Sequence, residues 1–358
     1  MANSSVVYSP KRLISLLAGW LMLILGGLSH AGGPVSELRI LTWSEYMDPE
    51  IVAEFEAKYN AKIKFSYFES DETRTDILLE NDGVGFDLVM VNGINLSIYR
   101  KRGWLAPLEA EKIPNLRHID RRWIEAFPAA EGRAVPFFWG TLGIAYRRDL
   151  VETPIHTWMG LFRPEEKLHG RIVMVKSSQD LIGAALQASG YSANSIDSQA
   201  LKAAESLLME QKPHVFSYSY IALDKGSSLV SGEVIAAMVY SGDALMVQEH
   251  NENIIYVVPK EGSNLWVDYW AVMQSSAEKD LAMAFIDFIN NPDIAARMAE
   301  YVYYATPNLA ATSLLPAEFL ENPVIYPDSS VLERSEFYQE LPARAVKKRN
   351  TIFARVIR

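Results

Sequence analysis

The chain has 358 residues, of which 49% are apolar and 22% charged, and its formal net charge is −10 at pH 7. This length exceeds what one hydrophobic core usually organises, so we expect a globular protein of two domains or lobes. The acidic balance argues against a nucleic-acid partner, because binding nucleic acid normally requires a basic face. The sequence contains no cysteine, which excludes thiol catalysis and cysteine-ligated metal sites.

The first 31 residues have the features of a secretory signal peptide. The positive pair Lys11-Arg12 precedes an apolar run at 13–28, and Ser29-His30-Ala31 places small residues at the −3 and −1 positions of a cleavage site. The alternative is an uncleaved membrane anchor, but the run is shorter than the roughly 20 residues that a spanning helix needs. We therefore expect a cleaved signal peptide over residues 1–31 and a mature protein in the periplasm.

Short apolar runs then alternate with amphipathic ones in the first half of the chain. The spacing predicts strands at 39–43, 62–68 and 86–91, and helices at 49–59, 71–80 and 96–101. This β-α-β-α-β-α order indicates an α/β lobe with a largely parallel sheet. The pattern pauses at 106–133, an interval rich in Pro, Arg and Glu.

A second alternating set follows this interval. The predicted strands are 134–138, 143–146, 172–175, 215–218, 234–240, 254–258 and 265–273, and the predicted helices are 179–189, 200–210, 277–290 and 292–299. The sequence has no internal repeat and no low-complexity tract. Two α/β lobes joined by extended crossings are the simplest arrangement.

A single carboxylate, Asp268, lies in the most aromatic stretch of the chain, residues 265–273 (LWVDYWAVM). Eight of these nine residues are apolar or aromatic, which predicts a buried strand. Burying an ionised carboxylate is unfavourable unless a cation or a set of donors compensates it, and the run contains no Lys or Arg. Asp268 therefore either pairs with a distant side chain or binds a cation from outside the protein.

Three further acidic residues are candidates for the same role. Glu45 and Asp243 follow strand carboxyl ends, where ligand crevices form in open α/β sheets, and Asp180 opens a helix. Aromatic faces and carboxylates together suit an organic ammonium group. Each residue also has a structural interpretation. Asp180 fits a capping box with Ser177, Asp243 fits a helix cap, and Glu45 fits an exposed turn.

Motifs of enzymes and metal sites are missing. The sequence has no G-x-S-x-G elbow, no P-loop, no H-E-x-x-H and no complete G-x-G-x-x-G, and its six histidines have no ligand spacing. We therefore expect no catalysis, no metal and no cofactor.

Several short motifs occur together and in order. They are TWSEY at 42–46, FDLV at 86–89, PFFWGTLGIAY at 136–146, SGD at 241–243, PKEG at 259–262, WVD at 266–268 and VYYAT at 302–306. By these motifs the chain resembles the periplasmic polyamine-binding proteins of ABC transporters, of the putrescine- and spermidine-binding type. The likeness runs from about residue 38 to residue 358.

This resemblance implies an α/β fold of the two-lobed periplasmic binding protein type (type II). Each lobe would be a mixed, mainly parallel sheet flanked by helices, with the ligand in the cleft between the lobes. The family's lobes are discontinuous, which implies lobe 1 at 36–140 and 267–305, and lobe 2 at 141–266 and 306–358. The expected molecule is a monomeric receptor that closes about a hinge.

The resemblance also implies a set of ligand-binding residues. The residues around the polymethylene chain would be Trp43, Tyr240, Trp266 and Tyr304. Asp243 and Asp268 would bind one amine end or the inner nitrogens, while Glu45 and Asp180 would bind the remaining nitrogens. Neutral hydrogen bonds would come from Ser44 and Tyr46.

Two segments depart from the family pattern. After FDLV the family usually continues with Pro-Ser and a further hydroxyl or aromatic residue, whereas this chain continues from Met90 to Ile94 as MVNGI. Before the helix of Asp180 the family tends to be acidic, whereas this chain has Lys176, spaced to neutralise Asp180. The preferred length of the amine is therefore left open.

We expect a receptor that captures putrescine, spermidine, norspermidine or a similar amine and delivers it to an inner-membrane ABC permease. One alternative is a polyamine sensor whose closed form signals through a membrane receptor, and the sequence does not separate the two outputs. Another is a secreted hydrolase on a similar scaffold. That alternative needs a nucleophile or an acid–base pair, and none is found beyond the proposed ligand carboxylates.

Overall fold

The computed structural model describes residues 35–358, so the predicted signal peptide lies outside the described residues. The strands are β1 (Ser36–Thr42), β2 (Ala61–Tyr67), β3 (Leu88–Asn92), β4 (Ala134–Arg147), β5 (Ile172–Met174), β6 (Val215–Tyr218), β7 (Ala236–Tyr240), β8 (Ile254–Val257), β9 (Asn264–Val272) and β10 (Glu336–Phe337). They pair in the order β2-β1-β3-β9-β4-β7-β5-β6, with β10 beside β9 and β8 beside β4. Five of the nine pairings between these described strands are parallel, so the sheet is mixed.

Helices flank the strands. They are α1 (Pro49–Tyr59), α2 (Asp71–Glu80), α3 (Gly93–Lys101), α4 (Arg121–Glu125), α5 (Trp158–Phe162), α6 (Ser178–Ala188), α7 (Ser198–Gln211), α8 (Ser228–Ser231), α9 (Ser241–Gln248), α10 (Lys279–Ile289), α11 (Pro292–Val302), α12 (Leu309–Thr312), α13 (Ala317–Leu320), α14 (Ser329–Glu333) and α15 (Ala343–Val356). Within residues 35–358 no helix has the length and apolar character needed to cross a membrane.

Local sequence explains where the first helices begin and end. Asp48 caps α1 by accepting a hydrogen bond from the Glu50 N–H, and Asn60 ends the helix in the left-handed conformation. Ser70 caps α2 through the Thr73 N–H. Both helices were predicted with the bounds observed, because cap, length and apolar spacing agree in each case.

The strand β4 differs from its prediction. Two strands with an interruption at residues 139–142 were expected, whereas β4 is continuous over 14 residues and buried throughout. Gly140 and Thr141 interrupt the apolar pattern, but both pair with residues of β9. β4 pairs antiparallel with β9 as far as Thr141 and with β7 from Leu142 onward. One strand therefore joins the two halves of the sheet.

The buried apolar residues form two large clusters. The first surrounds β1, β3, β9 and the first part of β4, and the second surrounds the end of β4, β5, β7, α6 and α7. Residues after 305 contribute to both: Ala311 and Phe319 pack in the first cluster, whereas Ile352 and Val356 pack in the second. The residue bounds assigned to the two lobes stay a prediction.

Candidate functional site

A cavity of about 480 Å³ lies where the two halves of the sheet meet. Side chains from β7, β9, α6 and α9, and from the segments after β1 and after α11, line it. All ten residues that the sequence singled out are among the lining residues: Trp43, Ser44, Glu45, Tyr46, Asp180, Tyr240, Asp243, Trp266, Asp268 and Tyr304. Their assembly into one cavity follows from topology, because β1 and β7 both end at it.

The carboxylate of Asp268 is buried and bonded only by neutral donors. Its residue is 5% exposed. One carboxylate oxygen accepts hydrogen bonds from Trp43 Nε1 and from the Tyr46 hydroxyl, each at 3.1 Å. Among the described residues, no Lys or Arg forms an ion pair with it. Burial raises the pKa of Asp268 to about 7, and the charge of Asp71 adds to this, while Arg74 and the two donors oppose it.

Asp243 is a second buried carboxylate. It accepts a hydrogen bond of 2.6 Å from the Tyr304 hydroxyl, and burial raises the pKa of Asp243 to about 6 although this bond lowers it. The helix-cap interpretation is wrong for Asp243, since α9 has no side-chain cap. The neighbouring Gly242 permits the contact, because a Cβ there would lie 2.7 Å from the Tyr304 ring.

Asp180 is the third buried carboxylate, and phenols hold it as well. It accepts hydrogen bonds from the Tyr240 hydroxyl at 2.9 Å and from the Tyr338 hydroxyl at 3.1 Å. Burial raises the pKa of Asp180. Ser177 does cap α6, with a bond of 3.3 Å from the Asp180 N–H, so Asp180 combines a helix-start position with a cavity-facing carboxylate. Lys176 is exposed and makes no ion pair in the described part of the chain.

Aromatic rings connect the three carboxylates. Trp266 meets Tyr304 edge-on, with ring centroids 4.8 Å apart, and meets Tyr240 at 5.9 Å. Tyr220 lies between Tyr240 and Trp43, with its centroid 6.0 and 6.5 Å from theirs. The cavity therefore offers apolar ring surface between separated negative groups.

Two predicted residues lie at the exposed rim. Ser44 and Glu45 are both solvent-exposed and line the cavity, and Glu45 adopts a left-handed backbone with φ of 54°. The interpretation of Glu45 as an exposed turn residue and its candidacy as a site residue are thus compatible. Its carboxylate is screened by solvent, so its electrostatic effect is weaker than that of the buried carboxylates.

Several cavity residues were not anticipated from sequence, among them Asp71, Tyr220 and Tyr338. Asp71 opens α2, where an acidic residue is ordinary, so its sequence context carries no separate signal. Tyr220 lies in a loop, and Tyr338 reaches Asp180 from 158 positions away in the chain. A hydrogen bond between residues so far apart in the chain cannot be predicted from the local sequence pattern.

The chemistry of the lining is that of a cation site. Among the described residues that line the cavity, none is Lys, Arg or His, whereas Asp71, Asp180, Asp243 and Asp268 all contribute carboxylates. Within residues 35–358 no group of three or more His, Asp or Glu side chains is placed to hold a metal ion. Widely spaced carboxylates separated by aromatic rings suit an elongated organic cation.

The raised pKa values predict how stability of the empty protein varies with pH. Asp243 and Asp268 bind protons more tightly when folded than an unfolded Asp does, so their contribution is complete below about pH 4 and is lost as pH rises through about 6 and 7. Urea unfolding at pH 5.5 and 8 checks this. The wild type should lose stability on this rise relative to the double variant Asp243→Asn/Asp268→Asn. An equal change in both proteins would contradict the assignment.

Comparison with known proteins identifies the family of the chain. Residues 50–325 match the profile of the bacterial extracellular solute-binding proteins. A spermidine/putrescine-binding periplasmic protein of Escherichia coli K12 is 28% identical over 86% of this chain and 87% of its own length. A norspermidine sensor of Vibrio cholerae is 29% identical over 99% of this chain and 96% of its own.

Solved structures agree with the architecture. A putative spermidine/putrescine ABC transporter protein from Listeria monocytogenes superposes with a TM-score of 0.83 and 32% identity, covering 90% of this chain and 98% of its own. This likeness confirms the expected fold class, that of two-lobed periplasmic substrate-binding proteins. The chain belongs to the bacterial extracellular solute-binding protein family.

Proposed function

We propose that this protein is a periplasmic receptor that captures a di- or polyamine in the described cavity and delivers it to an inner-membrane ABC permease. The observation that carries the proposal is the set of three buried carboxylates, Asp180, Asp243 and Asp268, each bonded only by neutral donors. Among the described residues no Lys or Arg forms an ion pair with any of the three, and an ammonium group would supply that partner.

The mechanism follows from these contacts. The ammonium groups of the ligand would replace protons on Asp243 and Asp268, forming charge-assisted hydrogen bonds in a site shielded from water. The methylene segments between nitrogens would pack against Trp43, Tyr240 and Trp266, which would exclude water and strengthen the charge interactions. The phenols and indole that already bond the carboxylates would hold them in place as the ligand enters.

Closure about a hinge completes the cycle. The cavity draws residues from β9 and the segment after β1 on one side and from β7, α6 and α9 on the other, and β4 runs between these sides. A ligand that contacts both sides stabilises the closed form by its differential affinity for that form. The closed form would then dock on the permease.

The named relatives support the substrate class. The Escherichia coli relative is named for spermidine and putrescine and the Vibrio cholerae relative for norspermidine. All of these ligands are linear amines with charged nitrogens separated by methylenes. The family and the relatives are solute-binding proteins, and the proposal includes no catalytic step.

A thermal-shift panel tests the proposal. Putrescine, cadaverine, norspermidine, spermidine and spermine should include at least one ligand that raises the melting temperature, because a ligand present at 100 times its Kd stabilises by about 2.7 kcal/mol. The neutral isostere 1,4-butanediol should give no shift, since it lacks the charge that the carboxylates require. No shift with any of the amines would contradict the proposal.

A second output is favoured by one observation. The relative from Vibrio cholerae is named a sensor and matches almost the whole chain. A polyamine-loaded protein that stimulates ATP hydrolysis by a reconstituted cognate permease would support transport. If loading instead changes the activity of a membrane receptor encoded beside it, and permease ATPase does not respond, signalling is the output.

A further inference from the structure

A fully buried arginine lies behind one wall of the cavity. Arg74, on α2, is 0% exposed and donates from Nη1 to Asp71 at 2.5 Å and from Nε to the Tyr99 hydroxyl at 3.2 Å. Its guanidinium carbon lies 5.2 Å from the Phe68 ring centroid. Within residues 35–358 the second terminal nitrogen, Nη2, has no hydrogen-bond partner although it is buried. Arg74 itself does not line the cavity, whereas Asp71 does.

Asp71 is held from two sides. One carboxylate oxygen receives Arg74, and the other receives a hydrogen bond from Asn92 Nδ2. Asn92 also lies directly opposite Asp268 in the antiparallel pair of β3 and β9. Opposite residues of such a pair have Cβ atoms roughly 4.5–5.5 Å apart. Asn92 is therefore hydrogen-bonded to Asp71 and is also the cross-strand neighbour of Asp268.

The charge of Asp71 acts on two of the buried carboxylates. After burial, the charge of Asp71 is the largest influence that raises the pKa of Asp268, and it also raises the pKa of Asp180. Burial lowers the pKa of Arg74, but Asp71, Tyr99 and Asp268 together outweigh this and hold the pKa above its ordinary value. The carboxylate of this pair lies toward the cavity and the guanidinium lies behind it.

A purely structural role explains this arrangement poorly. Ser70 already caps α2, so the start of the helix does not require the Asp71 side chain. Burying a guanidinium with one nitrogen unpartnered is unfavourable compared with an apolar residue of similar volume. The arrangement does fix the direction of Asp71, whose remaining lone pairs are free for a further donor.

We propose that Asp71 receives the internal secondary ammonium group of a linear triamine, with Arg74 as the positioning residue that holds it toward the cavity. The inference rests on the proposed polyamine binding and adds a selectivity determinant to it. A diamine has no internal ammonium group, so it gains nothing from Asp71. The site therefore prefers triamines to diamines through this carboxylate.

The test compares spermidine with putrescine by calorimetry. The double variant Asp71→Asn/Arg74→Met removes one charge of each sign, so the net charge of the site is unchanged, and Met fills the buried space. Spermidine affinity should fall on the order of tenfold or more, because a charge-assisted bond is lost, while putrescine affinity changes less than about threefold. Asp76→Asn, an exposed change on the same helix, is the control and should affect neither amine.

Arg74→Lys tests positioning separately. It keeps the positive charge but loses the planar fork, so the ratio of spermidine to putrescine affinity should fall severalfold with the charge intact. This variant also carries the test if the double variant does not fold. A ratio unchanged within about twofold in every folded variant overturns the inference. If the wild type binds neither amine, the proposed function fails instead.

Discussion

The Asp268→Asn variant is expected to bind polyamine more weakly than the wild type by about 2–5 kcal/mol, which is roughly thirtyfold to several thousandfold. The change would remove the charged partner of the proposed ammonium group while preserving side-chain shape. Calorimetric titration at pH 8 with spermidine and with putrescine measures the loss. Asp293→Asn, an exposed change of the same charge on α11, should leave the affinity unaltered.

The folding stability of the same variant without ligand should not fall, in contrast to its affinity. In the empty wild type, ionised Asp268 is buried without a cation, and burial raises its pKa to about 7. At pH 8 the neutral Asn therefore relieves a destabilising charge, so the empty variant should be no less stable than the wild type. An unchanged affinity in Asp268→Asn, with the fold intact, would remove this residue from the site.

Affinity should depend strongly on pH. Binding an ammonium requires ionised carboxylates, whereas in the empty protein Asp243 and Asp268 titrate at about 6 and about 7. At pH 5 displacing both protons would reduce affinity by up to about a thousandfold relative to pH 8. The ligand does not compensate, because terminal alkyl ammonium groups, with an ordinary pKa of about 10.4, stay charged across this range.

Calorimetry from pH 5 to 8 in two buffers of different ionisation enthalpy measures both affinity and proton release. The account predicts proton release that is largest at pH 5, where both carboxyl groups are mostly protonated in the empty protein, and that declines toward pH 8. Asp268→Asn should flatten the upper part of the profile and leave the part due to Asp243. An affinity that is constant over this range, with no proton release, would show that the two carboxylates do not contact the ligand.

Local pattern predicted most of the elements. α1 and α2 were predicted with their observed bounds, because caps and apolar spacing coincide there. The continuity of β4 was missed, since Gly140 and Thr141 resemble a break although a neighbouring strand covers them. Several short elements, among them β10 and α12 to α15, were not predicted. Their short or strongly basic segments gain order from packing on the two clusters rather than from periodicity.

The candidate site was predictable where a charged residue occurs in an apolar stretch of sequence. Asp268 stood out because a charge in an aromatic strand lacks a local partner, and the structure buries it as expected. Asp71 and Arg74 gave no such signal, because an acidic residue and a basic residue in the first turn of a polar helix are ordinary. Only the fold shows that Arg74 is buried and that Asp71 faces the cavity.

A crystal structure of the protein grown with a linear triamine tests the central claim most directly. The account predicts a ligand inside the cavity, with its nitrogens at hydrogen-bond distance from carboxylate oxygens of Asp180, Asp243 and Asp268 and its methylenes against Trp266. A triamine bound elsewhere, or held in this cavity without contact to those carboxylates, would contradict it.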